Sequence, residues 1–202
     1  MKKYFTLLIL LCFSLTSFSQ FRFAALVGYD NTNLKFKQNL IQVDPVSGFK
    51  AGVMGEMMFP GIGFGLDIGL LYSMRGANLH LGDKEIWASD GYGTERSFLH
   101  YIEIPVNLKF KWTRMNGLED YIAPFVFGGP TFSLMAGHSH LPALQYAGGS
   151  LGLQVGFGLE LWKVWQIQGA YNWGMTYAVK TVKLEDFSAR DRMWSISLLR
   201  YF

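Results

Sequence analysis

Along residues 61–72, GIGFGLDIGLLY, the large apolar side chains fall on one parity: Ile62, Phe64, Leu66, Ile68, Leu70 and Tyr72. Gly63, Gly65, Asp67, Gly69 and Leu71 fall on the other. Alternate residues of an extended strand point to opposite faces, so the stretch predicts a strand with one unbroken apolar face and one of glycine and carboxylate. The same alternation returns along the chain. In 101–112, Ile102, Ile104, Val106, Leu108, Phe110 and Trp112 oppose Tyr101, Glu103, Pro105, Asn107, Lys109 and Lys111. In 151–161, Leu151, Leu153, Val155, Phe157, Leu159 and Leu161 oppose Gly152, Gln154, Gly156, Gly158 and Glu160. In 165–174, Trp165, Ile167, Gly169, Tyr171 and Trp173 oppose Gln166, Gln168, Ala170, Asn172 and Gly174. Residues 49–59 alternate more loosely, with Phe49, Ala51, Val53, Met57 and Phe59 against Lys50, Gly52, Met54 and Glu56. Residues 21–29, 193–202 and 121–135 alternate least clearly, the last carrying Pro124 and Pro130. The pattern predicts about eight strands, each near the roughly 9–11 residues that cross a bilayer at a tilt.

The connections alternate too. Long polar segments are expected at 30–48, 73–97, 136–149 and 176–191, and short ones at Pro60–Gly61, in TRMNGLED and around Lys163–Val164. An up-and-down outer-membrane barrel has this asymmetry, with short periplasmic turns and longer outer loops. Aromatic residues fall where two interfacial girdles belong: Phe59, Trp112, Tyr121, Trp162, Trp165 and Phe202 at the periplasmic ends, and Tyr29, Tyr72, Trp173 and Trp194 at the outer ends. Tyr101 stands at the outer level but on the inward parity. The bulky face therefore meets lipid and the glycine-rich face looks into the barrel. The fold predicted is an all-β, eight-stranded antiparallel up-and-down transmembrane barrel. Eight strands leave an interior just wide enough for side chains to fill, so no open pore is expected. Glu56, Asp67, Glu103 and Glu160 are expected to pair there with Lys50, Lys109 and Lys111 as a structural charge network, because buried charges must be paired or wet.

Composition fits a wall of this kind. Half of the 202 residues are hydrophobic and 16% are aromatic, while only 16% are charged, against a usual quarter or so. The formal net charge of +3 is spread out, which excludes a nucleic-acid patch. The first 19 residues read as a signal peptide: Lys2 and Lys3, the apolar FTLLILLCF, then Ser17-Phe18-Ser19 as a small-x-small site cut before Gln20. Residues 20–202 are then the barrel domain. The only cysteine, Cys12, sits in the apolar stretch, so no disulfide is expected in the exported chain and no lipid anchor on a cysteine at the cut.

Candidate chemistry is sparse. His100 shares the outward parity near the outer rim, but Phe98 and Ile102 hold the positions where a partner serine would share its face, and Ser97 is on the other face. His138 and His140 could share one side of a loop, yet no Cys, Asp or Glu lies close in sequence to complete a metal site. The loop GDKEIWASDGYGTER sets Asp83, Glu85, Asp90 and Glu95 beside Trp87 and Tyr92, a composition suited to a binding surface. No phosphate loop, paired catalytic carboxylates or cofactor fingerprint occurs.

LLYSMRGA, YIEIPVNLKF, FGGPTFSLMAG, GLQVGFGLEL and the terminal SISLLRYF resemble the PorT-like, or "porin family", outer-membrane β-barrels of Gram-negative bacteria. YSMRGA followed by YIEIP is the most specific part. The resemblance implies an eight-stranded outer-membrane barrel with no catalytic residues; one member belongs to a protein-secretion and gliding apparatus. Arg200 departs from the pattern, standing where the family is usually apolar or aromatic, near an interface to which it can snorkel. The sequence thus predicts a non-enzymatic, cofactor-free barrel in contact with outer-membrane lipids, its long loops open to a protein or surface ligand. The alternatives are a lipid-modifying enzyme using His100, a secretion component, and a soluble carrier of a lipophilic ligand. The last is disfavoured because the inward parity is glycine, glutamine and charge.

Overall fold

The computed structural model describes residues 20–37, 42–59, 61, 63–83, 88–89, 91, 93–139, 144–181 and 188–202. The expected signal peptide, Ile62, the loop residues Glu85, Trp87, Asp90 and Tyr92, and His140 lie outside them. Among the described residues, ten strands follow in order: β1 Gln20–Phe36, β2 Val43–Met58, β3 Phe64–His80, β4 Thr94–Lys111, β5 Ile122–His138, β6 Leu144–Tyr146, β7 Gly149–Leu161, β8 Trp165–Gly174, β9 Val179–Thr181 and β10 Ser188–Tyr201. All but β6 and β9 form an eight-stranded antiparallel meander. Its first and last strands pair from Ala24↔Tyr201 to Phe36↔Ala189, which closes it into a barrel. The short β6 and β9 pair with each other, and β9 with the start of β10.

The short turns collect at one end. Asn116 and Gly117 (φ 57° and 90°) close one hairpin, with the Leu118 N–H donating to Met115 O at 3.2 Å. Trp162 and Lys163 (φ 51° and 60°) close another, with Val164 N–H to Leu161 O at 3.1 Å. Two consecutive left-handed residues match the twist of the flanking strands. Asn-Gly adopts that conformation easily; Trp-Lys does so against the usual Cβ penalty.

The expected parities hold along the strands. In β3, Phe64, Ile68 and Leu70 are exposed while Gly65, Asp67, Gly69 and Leu71 are buried. In β5, where the sequence was hardest to read, Phe125 and Phe127 turn inward and lie opposite the inward glycines Gly158 and Gly156 of β7. A Cβ on Gly158 would sit 2.5 Å from Phe125 Cζ. The two rings occupy the room those glycines leave.

The long polar connections are shorter than expected. Residues 30–36, 43–48, 73–80, 94–97, 136–138 and 188–191 are strand, and the barrel strands run from 10 to 18 residues. Above Tyr29, Tyr72 and Trp194 the strands continue with their polarity exchanged. Outward positions become Asn31, Asn33 and Lys35 in β1, Asn78 and His80 in β3, and Arg192 and Arg190 in β10. Inward positions become Leu34, Phe36, Ala77, Leu79, Leu99 and Ala189, which pack with Leu81, Leu144, Ala178 and Val179 into one apolar cluster across the barrel's long-loop end. Such a strand reads as polar when only its exposed face is considered, which is why these segments look like loops in sequence.

Candidate functional site

The interior is the site where polar chemistry concentrates. Near the short-turn end, Glu56 on β2 is fully buried and is the hub. Lys109 Nζ donates to Glu56 Oε2 at 2.8 Å and pairs with Asp67 at 2.6 Å. Lys111 Nζ lies 2.9 Å from Glu56 and 2.7 Å from Glu160. Arg22, on β1, bridges the same two glutamates at 2.5 and 2.6 Å. Gln166 donates to Glu160 at 2.7 Å and Glu56 at 3.1 Å, and the Tyr201 hydroxyl donates to Glu56 at 3.0 Å. The cations Arg22, Lys109 and Lys111 thus match the acids Glu56, Asp67 and Glu160, so the layer carries no net charge. Alternation made this possible: each residue occupies an inward position of its own strand, and the narrow barrel brings them within hydrogen-bond reach.

A second charged layer lies nearer the long loops. Arg75 on β3 pairs with Glu103 on β4 and, at 2.9 Å, with Asp191 on β10; it also donates to Ser133 Oγ at 3.3 Å. Its guanidinium lies 4.9 Å from the Tyr101 ring centre. Lys50 forms its ion pair with Asp30 at 3.2 Å, and Ser73 donates to the same carboxylate at 3.2 Å. Between the layers, Gln154 Nε2 donates to Asn107 Oδ1 at 2.8 Å, and Ala24, Leu26, Met54, Leu71 and Leu199 fill the opposite side.

Glu56, Asp67, Lys109, Lys111 and Glu160 therefore meet in one cluster, whereas Lys50 and Glu103 do not join it. Glu103 pairs with Arg75, and Lys50 with Asp30. Sequence reasoning passed over Arg22, Asp30, Arg75, Asp191, Gln166 and Tyr201. The signal was there: Arg75 keeps the parity of Asp67, and Asp30 that of Ala24 and Leu26.

The outer wall carries the aromatics. Tyr29, Phe59, Trp112, Tyr121, Trp162, Trp165, Trp173, Trp194 and Phe202 are exposed, and Tyr72 is half-buried. Tyr29 and Trp194 approach to 5.8 Å between ring centres, and the Tyr29 and Ser47 hydroxyls share a 2.6 Å hydrogen bond. Phe21, Phe23, Phe49, Phe64, Phe110 and Tyr171 add to this surface. Phe157 is 72% exposed and Phe23 61%; a wall of such residues far exceeds the apolar patches that water-soluble monomers present. Arg200 lies on it with its guanidinium 5.6 Å from the ring centres of both Trp165 and Phe202.

His100 lies on the outer face, and its Nδ1 shares a 2.7 Å hydrogen bond with the Tyr72 hydroxyl. Ser97 points inward, within 3.3 Å of the Tyr146 hydroxyl. The His138 ring stacks on Tyr146 at 4.1 Å. Among the described residues, no three His, Cys, Asp or Glu side chains gather to hold a metal. Outside the wall, Asp44, Glu119 and Lys163 have shifted pKa values, the last raised by its hydrogen bond to Asp120. His80 donates to Asp44 at 2.8 Å and holds that carboxyl below its usual range. In the 115–120 turn, the backbone N–H groups of Glu119 itself, Met115 and Gly117 hold the Glu119 carboxyl low as well.

OprG of Pseudomonas aeruginosa, an outer membrane protein, is similar at 12% identity and a TM-score of 0.53, over 91% of this chain and 97% of that one. Neisserial surface protein A is similar at 11% identity and a TM-score of 0.48, over 89% and 97%. Ail of Yersinia pestis, crystallised with the heparin analogue sucrose octasulfate, is similar at 13% identity and a TM-score of 0.43, over 91% and 99%. No curated protein sequence matches the chain. The sequence profile of the outer membrane protein beta-barrel domain matches residues 16–178, and with a closed eight-stranded barrel around a polar interior the chain belongs to that family.

Proposed function

We propose that the protein is a sealed, non-enzymatic outer-membrane barrel that acts as a scaffold. It presents its extended long-loop end to a protein or ligand outside the cell, its wall is solvated by outer-membrane lipids, and its export depends on a signal peptide cut before Gln20. One observation carries this reading: side chains meet across the barrel interior at two levels. The Glu56 layer spans β1, β2, β3, β4, β7, β8 and β10 with ion pairs and hydrogen bonds of 2.5–3.2 Å. Above it, the Leu79–Leu99 cluster packs apolar side chains together inside the other end. An ion crossing would have to break the first and dehydrate at the second. Within the family, the PorT-like placement is supported by the pairing of its two most specific stretches, Arg75 of YSMRGA with Glu103 of YIEIP. The enzyme alternative finds less support, since the His100 ring is engaged by Tyr72 rather than by a serine or cysteine.

The test is planar-bilayer recording on the mature barrel. No discrete conductance is expected from the native chain; steady single-channel openings would overturn the sealed reading.

A further inference from the structure

Just above the outer aromatic belt, the seam between β1 and β10 carries cations on its outward face. Lys35 stands directly opposite Arg190, and Arg192 opposite Asn33. Lys37 follows Lys35, and its backbone N–H donates to Ser188 O at 3.1 Å. Residues facing each other across an antiparallel pair have Cβ atoms about 4.5–5.5 Å apart, and like charges there repel. Four cations are thus held in one small block of sheet.

Among the described residues, Lys35, Lys37, Arg190 and Arg192 make no ion pair, and the acids closest in the fold are engaged elsewhere. Asp191 and Asp30 point inward to Arg75 and Lys50, and Asp44 accepts from His80. The Arg192 guanidinium is braced by the carbonyls of Gly174 and Asp191 at 3.3 and 3.4 Å. Those contacts fix its position, and among the described residues no carboxylate forms an ion pair with it.

The surroundings say what kind of anion fits. A groove of about 510 Å³ runs past Asn31, Lys35, Pro45, Tyr171, Arg192 and Trp194, so Lys35 and Arg192 share one depression with two belt aromatics, and a second of about 320 Å³ joins the same two cations to Lys37 and Arg190. Trp194 lies one same-face position below Arg192, a rise of about 7 Å. That is the step from the aromatic belt to the headgroup level. Cations clustered at that level bind phosphate-bearing lipids, and guanidinium groups recognise phosphate with two parallel hydrogen bonds.

We propose that the outer face of the β1–β10 seam is a binding site for a phosphorylated lipid of the outer leaflet, its phosphates on Lys35, Lys37, Arg190 and Arg192 and its acyl chains against Tyr171 and Trp194. The proposal rests on the orientation given above, with the long connections outside the cell.

The experiment uses the mature barrel folded in zwitterionic detergent, with bound lipid counted by native mass spectrometry. Three probes are titrated: bisphosphorylated lipid A, the same lipid with both phosphates removed, and inorganic pyrophosphate as competitor. The native chain is expected to prefer the phosphorylated lipid by about tenfold or more. Lys35→Gln/Lys37→Gln/Arg190→Gln/Arg192→Gln is expected to erase that preference. Lys35→Gln/Arg190→Gln, which relieves the facing repulsion and so leaves folding intact, is expected to remove a large part of it. Arg114→Gln/Lys163→Gln, at the other end of the barrel, is expected to keep the preference in full.

Equal binding of the two lipids would overturn the proposal. So would an equal loss in the Arg114/Lys163 control, which would mean that only overall charge matters. Complete displacement by pyrophosphate would also overturn it, assigning the patch to a free anion rather than to a lipid. A barrel that inserts without conducting yet shows no preference sinks this site alone. One that conducts sinks the sealed reading and leaves the binding result standing.

Discussion

Below Tyr29 and Trp194 the strands turn apolar faces outward and, Arg200 apart, their charges inward; above them, past the inward Arg75–Asp191 pair, β1, β3 and β10 do the reverse. β1 shows the change within one element. Phe21, Phe23, Val27 and Tyr29 face out along the lower part, whereas Asn31, Asn33 and Lys35 face out along the upper, and Leu34 and Phe36 replace small and polar residues inside. Pleating fixes which residues share a face, but not what that face meets. With the lower wall solvated by lipid, as proposed, outward apolar residues need no protein partner, and the lumen holds charges provided every one is paired. In the upper region water surrounds the wall, and the apolar residues must find each other inside. The two halves obey one rule under two solvents.

The sharpest way to break this contrast is at the lower hub. Glu56→Ala removes the carboxylate shared by Lys109, Lys111 and Arg22. Removing one partner of a buried ion pair costs about 3–5 kcal/mol. Asp67 still serves Lys109, and Glu160 still serves Lys111 and Arg22, so the low end of that range is expected. Urea unfolding in lipid vesicles, followed by the gel-mobility shift of the folded barrel, should show the midpoint fall. An unchanged midpoint would mean that the interior charges are individually dispensable.

How far this could be read in advance differs between the halves. Residues 61–72, 101–112 and 151–161 announce the membrane-spanning wall, because a row of Phe, Leu and Ile opposite glycine has no place in a water-soluble sheet. The inward charges follow by parity. Pairing does not, because partners such as Arg22 and Glu160 lie 138 positions apart and only closure of the barrel brings them together. The upper apolar cluster was legible least. Leu34 and Leu79 sit singly among polar neighbours, and Leu99, Leu144 and Val179 follow one Phe or Ala in otherwise polar stretches, so each looks like a stray residue until the register places them at one level. Phe125 and Phe127 were hidden for a related reason: their room inside depends on Gly158 and Gly156 across the sheet.

A gentler test holds the strand fixed and changes only the height. Ile68 and Asn78 share the outward face of β3, the first at mid-wall and the second above the belt. Ile68→Arg places a charge against hydrocarbon and should cost about 2–4 kcal/mol. Asn78→Arg places the same charge in water; it gives up the hydrogen bond from Arg96 and faces that cation across the ladder, so it should cost at most about 1 kcal/mol. The same unfolding assay checks both. Equal costs would erase the boundary drawn at Tyr72.

The smallest expected effect is a pH dependence confined to the upper region. The hydrogen bond from His80 holds the Asp44 carboxyl below its ordinary range. A carboxyl depressed in the folded state contributes stability above its unfolded pKa and loses that contribution as pH falls through the lower folded value. Asp44 is exposed, so the contribution is slight and screened by salt. It ties β2 to β3 above the belt, where lipid gives no support, so its loss should loosen the extension without unfolding the wall. Protease cleavage above the belt should therefore rise as pH falls through the acid range in the native chain. Asp44→Asn should be cleaved at the raised rate at every pH, while the gel-mobility shift of the barrel stays the same in both. A native cleavage rate flat across that range would show that the extension is held by its apolar interior alone.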